Sequence, residues 1–250
     1  EFPVADRPNA VKQWLETEDS KRGEWIFMIE TDYVWMRPLA TPPPGSKPIS
    51  FHFHYINPNY PGVGAVMQGL TADYGGVDLK AIPASGPAPT IIKYEDLVRI
   101  TPIWEDLAAK IEANADYKRR LGWVREMYAY CLGAAVLGIE HEVQEPRDTV
   151  LISQPPADNS LNNAAMFHYT WGAQFKDGGG NVAWEFDKRP YIDVKHVRRP
   201  AEHRPPRPPQ DAAANKLKLQ DGKPVTPELL MVETQMLDAM NRAIDALEQL

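Results

Sequence analysis

A single cysteine, Cys131, stands in 250 residues, so no disulfide can close within the chain, and one thiol does not fix the redox compartment. No stretch reaches the roughly 18 consecutive apolar residues that cross a bilayer, so no membrane span is expected. No apolar segment of the signal-peptide kind opens the chain. Positive charge is in deficit, with 27 Lys and Arg against 34 Asp and Glu and a net charge of −7. That balance argues against nucleic acid as the main partner. Internal repeats are absent, and so is any spacing typical of a metallohydrolase. The chain also starts Glu1-Phe2-Pro3, without an initiator Met. A processed or partial polypeptide is expected, with any targeting segment upstream.

What is present suffices for a sizeable core: 43% of the residues are hydrophobic, enough for one large domain or two small ones. Cys131 lies in "YAYCLGAAVLG" and reads as a filler of a buried helix. Residues 8 to 18 read as a short helix with Pro8 in its first turn. Trp25 to Ile29 read as a buried strand, and "ISFHFHYI", 49 to 56, as an alternating one. The stretch to about residue 78 reads as loop with a helical turn. Thr90 to Lys93 form a further strand. Tyr94 to Ala113 are helical with an expected break near Thr101-Pro102, and Tyr117 to Leu137 are helical up to Gly138. Val150 to Ser153 and Met166 to Thr170 read as strands, with a turn at 176 to 181.

Three segments are expected: an α/β body over 1–194, a basic Pro-rich arm over 195–225 without a core of its own, and a helix over 226–250. Thr226 caps that helix, Pro227 takes its first position, and Leu229, Val232, Met236, Met240, Ile244 and Leu247 form one stripe. Alternating strands and helices give the α/β class. Ligands in such folds gather beyond the carboxyl ends of strands, where Glu30 and Asp32 fall.

Glu30-Thr31-Asp32 puts two acids one residue apart after an apolar run. On extended backbone both point to one side, and two hard oxygen donors there suit Mn²⁺ or Mg²⁺. A solvated turn is the plainer reading of so short a motif. His168, in "MFHYTWG", is either a third ligand or a hydrogen-bonded core imidazole. Lys188, in "WEFDKRPY", either meets a phosphate as a point charge or pairs with Asp187. Glu126, in "GWVREMYAY", either accepts a substrate hydroxyl or pairs with Arg125 or Arg119. His52 and His54 read as the polar face of a cleft; a metal-dependent hydrolase using them with Glu30 and Asp32 is a minor alternative.

In order along the chain, "AVKQWLE", "IETDYVWMRPL", "IIKYEDLVRITPIW", "GWVREMYAY", "FHYTWG" and "WEFDKRPY" resemble the hydroxyproline O-arabinosyltransferases of plants and algae, over about residues 8 to 191. The peptidyl serine α-galactosyltransferases share a weaker skeleton, and "GWVREMYAY" and "FDKR" favour the first family. The resemblance implies a GT-A glycosyltransferase fold, a mixed sheet flanked by helices. It implies retaining transfer of L-arabinofuranose from UDP-L-arabinofuranose to hydroxyproline in a secreted, hydroxyproline-rich polypeptide of the plant cell wall kind. The implied location is the Golgi or secretory lumen, through an anchor outside this chain. Glu30, Asp32 and His168 would hold Mn²⁺ (or Mg²⁺), Lys188 and His168 would face the donor, and Asp32 and Glu126 would be catalytic. No strong protein nucleophile is evident, and in a front-face mechanism the departing phosphate oxygen takes the acceptor's proton.

The sequence departs from the family in several places. Gly86-Pro87-Ala88-Pro89 replaces a turn that usually reads Gly-Asn-Ser-Pro. His52 and His54 stand where relatives have other residues, and Thr31 and Tyr33 vary the surroundings of the acids. Only 29 residues precede Glu30, where GT-A domains carry about a hundred residues of nucleotide-binding βαβ structure. The chain is therefore expected to be part of a longer polypeptide, with a non-catalytic binding module of the same descent as the alternative.

Overall fold

Thr90–Lys93 (β4), expected as a short strand, is the middle of the first sheet in the computed structural model, which describes residues 2–189 and 204–247. The chain divides into two units, one of Glu1–Glu30 with Ala40–Glu145 and one of Thr31–Leu39 with Pro146–Leu250. Mixed strands and helices in both make this an α/β protein, as expected.

In the first unit the sheet order is β1 (Trp25–Met28), β4, β3 (Ile49–Phe51), β5 (Glu142–Gln144). β4 is antiparallel to β1 and β3, and β3 is parallel to β5. β1 is an edge strand rather than a buried one: only Ile26 is buried, and Ile29 beyond it is exposed. Strand structure also stops at Phe51. Phe53 and Ile56 are still buried, but a turn in which the Ile56 N–H donates to the Phe53 carbonyl replaces the expected alternation.

Around the sheet lie α1 (Arg7–Leu15), α2 (Val63–Thr71), α3 (Tyr94–Ala113), α4 (Ala115–Leu121) and α5 (Arg125–Val136). α3 runs unbroken through Pro102. An interior proline costs about 3 kcal/mol. Leu97, Ile100, Trp104 and Leu107 are fully buried on that helix, each contributing roughly 1.5–3 kcal/mol, and together they outweigh it. The expected single helix over 117 to 137 is two, because Gly122 takes a left-handed φ of 62° between them. Cys131 is buried as expected, its thiol donating to the Ser85 carbonyl. The Gly86–Pro89 turn is wholly buried, and a Cβ on Gly86 would lie 2.4 Å from Met127 Cε. Apolar residues suit that site, where polar side chains would need buried partners.

The second unit holds β2 (Tyr33–Trp35), β7 (Met166–His168) and β6 (Ile152–Ser153) in one sheet. β10 (Lys218–Leu219), β8 (Gly172–Lys176) and β9 (Val182–Asp187) form another. Gly172 has no alternative, since a Cβ there would sit 1.8 Å from the Phe186 carbonyl oxygen. α6 (Pro227–Leu247) is capped by Thr226, whose hydroxyl accepts the Leu229 N–H. Leu229, Val232 and Met236 are buried, while Leu247 is exposed.

The expected arm needs correction. Its residues 195–203 lie outside the described residues, but 204–225 are built into this unit. Ala212, Leu217, Leu219 and Val225 pack into one core with Phe175, Phe186 and Met236, and β10 pairs with β8. The prolines are accommodated by their carbonyls: Pro206 accepts the Trp184 indole N–H and Pro205 accepts the Asn241 amide. Basic and Pro-rich composition masked the four apolar anchors. Among the described residues, no helix is long and apolar enough to cross a membrane.

Candidate functional site

Asp32 sits in the turn that leads into β2, and strand register decides what it meets. β2 runs antiparallel to β7 with Tyr33 opposite His168, which sets the imidazole beside the carboxylate. The β8–β9 hairpin ends one residue before Lys188, whose N–H is held by the Trp171 carbonyl. Asp32 Oδ2 thereby lies 3.3 Å from His168 Nε2 and in a short ion pair with Lys188 Nζ. Asp32 Oδ1 is buried and has no partner among the described residues. Burial pushes this carboxyl up, but His168 and Lys188 outweigh it and hold it down to about 2. Tyr169, with Lys188 Nζ 5.6 Å from its ring centre, is pushed up to about 12 by burial and the Asp32 charge.

His168 Nδ1 is 2.9 Å from the Gln154 side-chain amide. With the Gln154 nitrogen donating, Nδ1 accepts, and the ring proton sits on Nε2, toward Asp32. Turned by half a rotation, Gln154 would accept from Nδ1–H and leave Nε2 a lone pair for a metal. A buried, unpartnered carboxylate oxygen beside an imidazole nitrogen fits part of a divalent cation's donor set. No group of three or more His, Cys, Asp or Glu able to hold a metal occurs among the described residues.

Glu30 belongs to the first unit, and there it meets Arg7. Arg7 Nη2 donates to Glu30 Oε1 at 2.7 Å and Nη1 to Glu126 Oε2 at 3.4 Å. The Glu126 side chain is 2% exposed, and its Oε1 is buried without a partner among the described residues. Burial drives this carboxyl up to about 7, Arg7 opposing and Glu30 adding to the rise. The expected partners are engaged elsewhere, Arg125 with Glu112 and Arg119 with Asp116. Lys188 likewise bypasses its neighbour: Asp187 pairs with Arg189. Arg7 escaped the sequence reading because its two partners lie 23 and 119 residues away.

His52 and His54 line a cavity of about 400 Å³ with Asn57, Asn59 and Lys80, and His52 Nδ1 contacts Glu145 at 2.7 Å. They are cleft residues as expected, carried by a loop rather than a strand.

Residues 1–143 match the family model described as the hydroxyproline O-arabinosyltransferase family N-terminal domain. The chain is 32% identical to hydroxyproline O-arabinosyltransferase RDN2 of Medicago truncatula, over 83% of this chain and 56% of the relative. It is 33% identical to hydroxyproline O-arabinosyltransferase 3 of Arabidopsis thaliana, over 76% of this chain and 52% of the relative. Peptidyl serine alpha-galactosyltransferase of Arabidopsis thaliana is 25% identical over 75% of this chain and 23% of its own length. The chain spans about half the length of the arabinosyltransferase relatives it matches. No solved structure matches it.

Proposed function

The chain belongs to the hydroxyproline O-arabinosyltransferase family, and we propose that it serves in glycosyl transfer from UDP-L-arabinofuranose to hydroxyproline in a secreted polypeptide. The proposed setting is the Golgi or secretory lumen, and the proposed stereochemical outcome is retention. The observation that carries this reading is the Asp32 carboxylate beside His168 and Lys188, with Oδ1 buried and without a partner among the described residues.

Asp32 and His168 are the residues that would hold Mn²⁺ or Mg²⁺. When bound, such a cation neutralises charge growing on the departing diphosphate. His168 and Lys188 favour the anionic form of Asp32, which is the form a cation binds. Lys188, a compact point charge, serves a phosphate oxygen of the donor. Gln154 sets the orientation of the His168 ring. Glu126 is the acid that would accept a hydrogen bond from a substrate hydroxyl. The acceptor's proton passes to the departing phosphate oxygen, so no protein nucleophile is needed.

The test is transfer of arabinose from UDP-L-arabinofuranose to a hydroxyproline peptide by wild type and Asp32→Asn. The variant should fold normally and lose roughly 100-fold or more in rate, as for removal of a preorganised electrostatic group. Normal transfer by that variant would remove Asp32 from the mechanism.

A further inference from the structure

His52 and His54 have no part in the transfer step, yet both line the first unit's cavity of about 400 Å³, within the roughly 300–1,000 Å³ of small-molecule sites. The loop that carries them is pinned along its length. The His52 N–H donates to the Gln144 carbonyl, and the Phe53 N–H to that of Ala84. Buried Tyr128 on α5 accepts the Asn57 N–H at 2.9 Å and donates to the Tyr55 carbonyl at 3.4 Å. α2 closes in behind: a Cβ on Gly64 would lie 3.0 Å from Leu79 Cδ1 and 3.2 Å from the Pro58 carbonyl oxygen. Backbone bonds and a buried hydroxyl thus hold the cavity wall in place.

The lining is half carbon and half polar. Ile56, Pro58, Leu79, Ile82 and Ala84 supply the carbon surface, and His52, His54, Asn57, Asn59 and Lys80 supply the polar atoms. Those atoms include both donors and acceptors. A carboxylate only accepts, so His52 Nδ1 carries the proton in its 2.7 Å contact with Glu145 Oε2, and in the neutral ring Nε2 accepts. Asn57 Oδ1 takes the Asn59 N–H, which leaves the Asn57 amide nitrogen to donate. The Asn59 side chain offers a donor and an acceptor, and Lys80 Nζ donates. Among the described residues no protein group takes up Asn57 Nδ2, the Asn59 side chain or Lys80 Nζ.

We propose that this cavity is a binding subsite for a neutral saccharide unit, distinct in its residues from the Asp32 site. Hydroxyl groups both donate and accept, which the mixed set matches, and the C–H face of a sugar ring covers the carbon surface. A phosphate accepts only. It would meet Lys80 as the one ammonium of the lining, with two carboxylates adjoining: Glu145 on His52, and Asp78, whose Oδ1 takes the Lys80 N–H. An apolar ligand would strip water from the polar atoms and replace it with nothing. Saccharide binding here does not require that the chain transfer arabinose; only the choice of a pentofuranoside as probe rests on that reading.

The test is saturation-transfer NMR and calorimetry on the full protein with methyl α-L-arabinofuranoside, methyl β-D-galactopyranoside and inorganic phosphate. At least one glycoside should bind wild type, with a Kd in roughly the millimolar range, because each hydroxyl exchanges water for protein. His54→Ala and Asn59→Ala, both at exposed positions, should each weaken it about fivefold, the worth of one net hydrogen bond. Asp32→Asn should bind the glycoside as tightly as wild type. Absence of glycoside binding by wild type, or binding that His54→Ala and Asn59→Ala leave unchanged, would overturn the subsite. Phosphate binding that Lys80→Ala abolishes, with neither glycoside bound, would overturn it in favour of an anion site. Glycoside binding lost in Asp32→Asn but kept in the two cavity variants would place the sugar at the other site and overturn it as well. Glycoside binding of the expected pattern in a protein that transfers no arabinose would uphold the subsite and count against the arabinosyltransferase reading alone.

Discussion

Asp32 and Glu126 are both shielded carboxyls, yet their surroundings drive them in opposite directions. Asp32 has Lys188 and His168 on a single oxygen and is held down to about 2. Glu126 shares one arginine with Glu30 and is driven up to about 7. A third carboxyl completes the series: Glu233 on α6 is fully buried, neither of its oxygens has a partner among the described residues, and burial takes it to about 8. Deeper burial and less cationic charge go together along this series, and both separate a carboxyl held ionised from one that keeps its proton. The acid-x-acid motif does not foretell this, because its two members have different tertiary neighbours.

The comparison can be broken most forcefully at His168. His168→Ala leaves Asp32 with Lys188 only and should cut arabinose transfer roughly 10- to 100-fold, the scale of losing one metal-ligand or orienting group. Transfer at the wild-type rate would show that the imidazole only packs against Tyr33, whose ring lies 4.9 Å away.

Glu233 should dominate the pH dependence of stability. Its folded value is raised from an ordinary 4.5 to about 8, so the folded state binds the extra proton between those limits. Stability is greatest below pH 4.5 and is lost as pH rises toward 8, by an amount on the order of 4 kcal/mol from this group. Glu233→Met removes that loss, and its melting temperature should exceed wild type by more at pH 8 than at pH 5. An equal difference at both pH values would show that the folded protein does not hold Glu233 protonated.

Glu126 gives the same sign over a narrower window, from 4.5 to about 7, with roughly 3 kcal/mol at stake. Denaturation of Glu126→Gln against wild type across pH 4 to 8 reads it directly. Asp32 has the opposite sign. Lowered from 3.8 to about 2, it contributes stability that is present above pH 3.8 and is lost as pH falls through 2, roughly 2 kcal/mol. Acid unfolding of Asp32→Asn should therefore lack part of the wild-type loss below pH 4. If it retains the whole of that loss, His168 and Lys188 do not stabilise the ionised form.

Much of this was legible where local rules suffice. The strand Thr90–Lys93 and the helix cap Thr226-Pro227 follow from composition and from the first-turn preferences of proline. The resemblance implies Glu30, Asp32 and His168 around one cation; the β2–β7 register brings His168 beside Asp32, whereas Glu30 accepts a hydrogen bond from Arg7. What escaped depends on tertiary context. α2 lies in a Gly-bearing stretch that reads as loop with a single helical turn, although Val63, Val66, Met67 and Leu70 are all buried on the helix. Packing overrides Pro102 in α3. Four apolar residues among many prolines make 204–225 part of a core. Arg7 carries no local signal, since nothing in "DRPN" announces two carboxyl partners far along the chain.

The proposed divalent cation would be held chiefly by Asp32. Mn²⁺ binding to the full protein, followed by the loss of the free-ion electron paramagnetic resonance signal with and without UDP, measures it without requiring transfer. Wild type should bind Mn²⁺, more tightly with UDP present, and Asp32→Asn should lose at least about tenfold in affinity while its circular dichroism is unchanged. Equal Mn²⁺ affinity in wild type and Asp32→Asn would contradict the account.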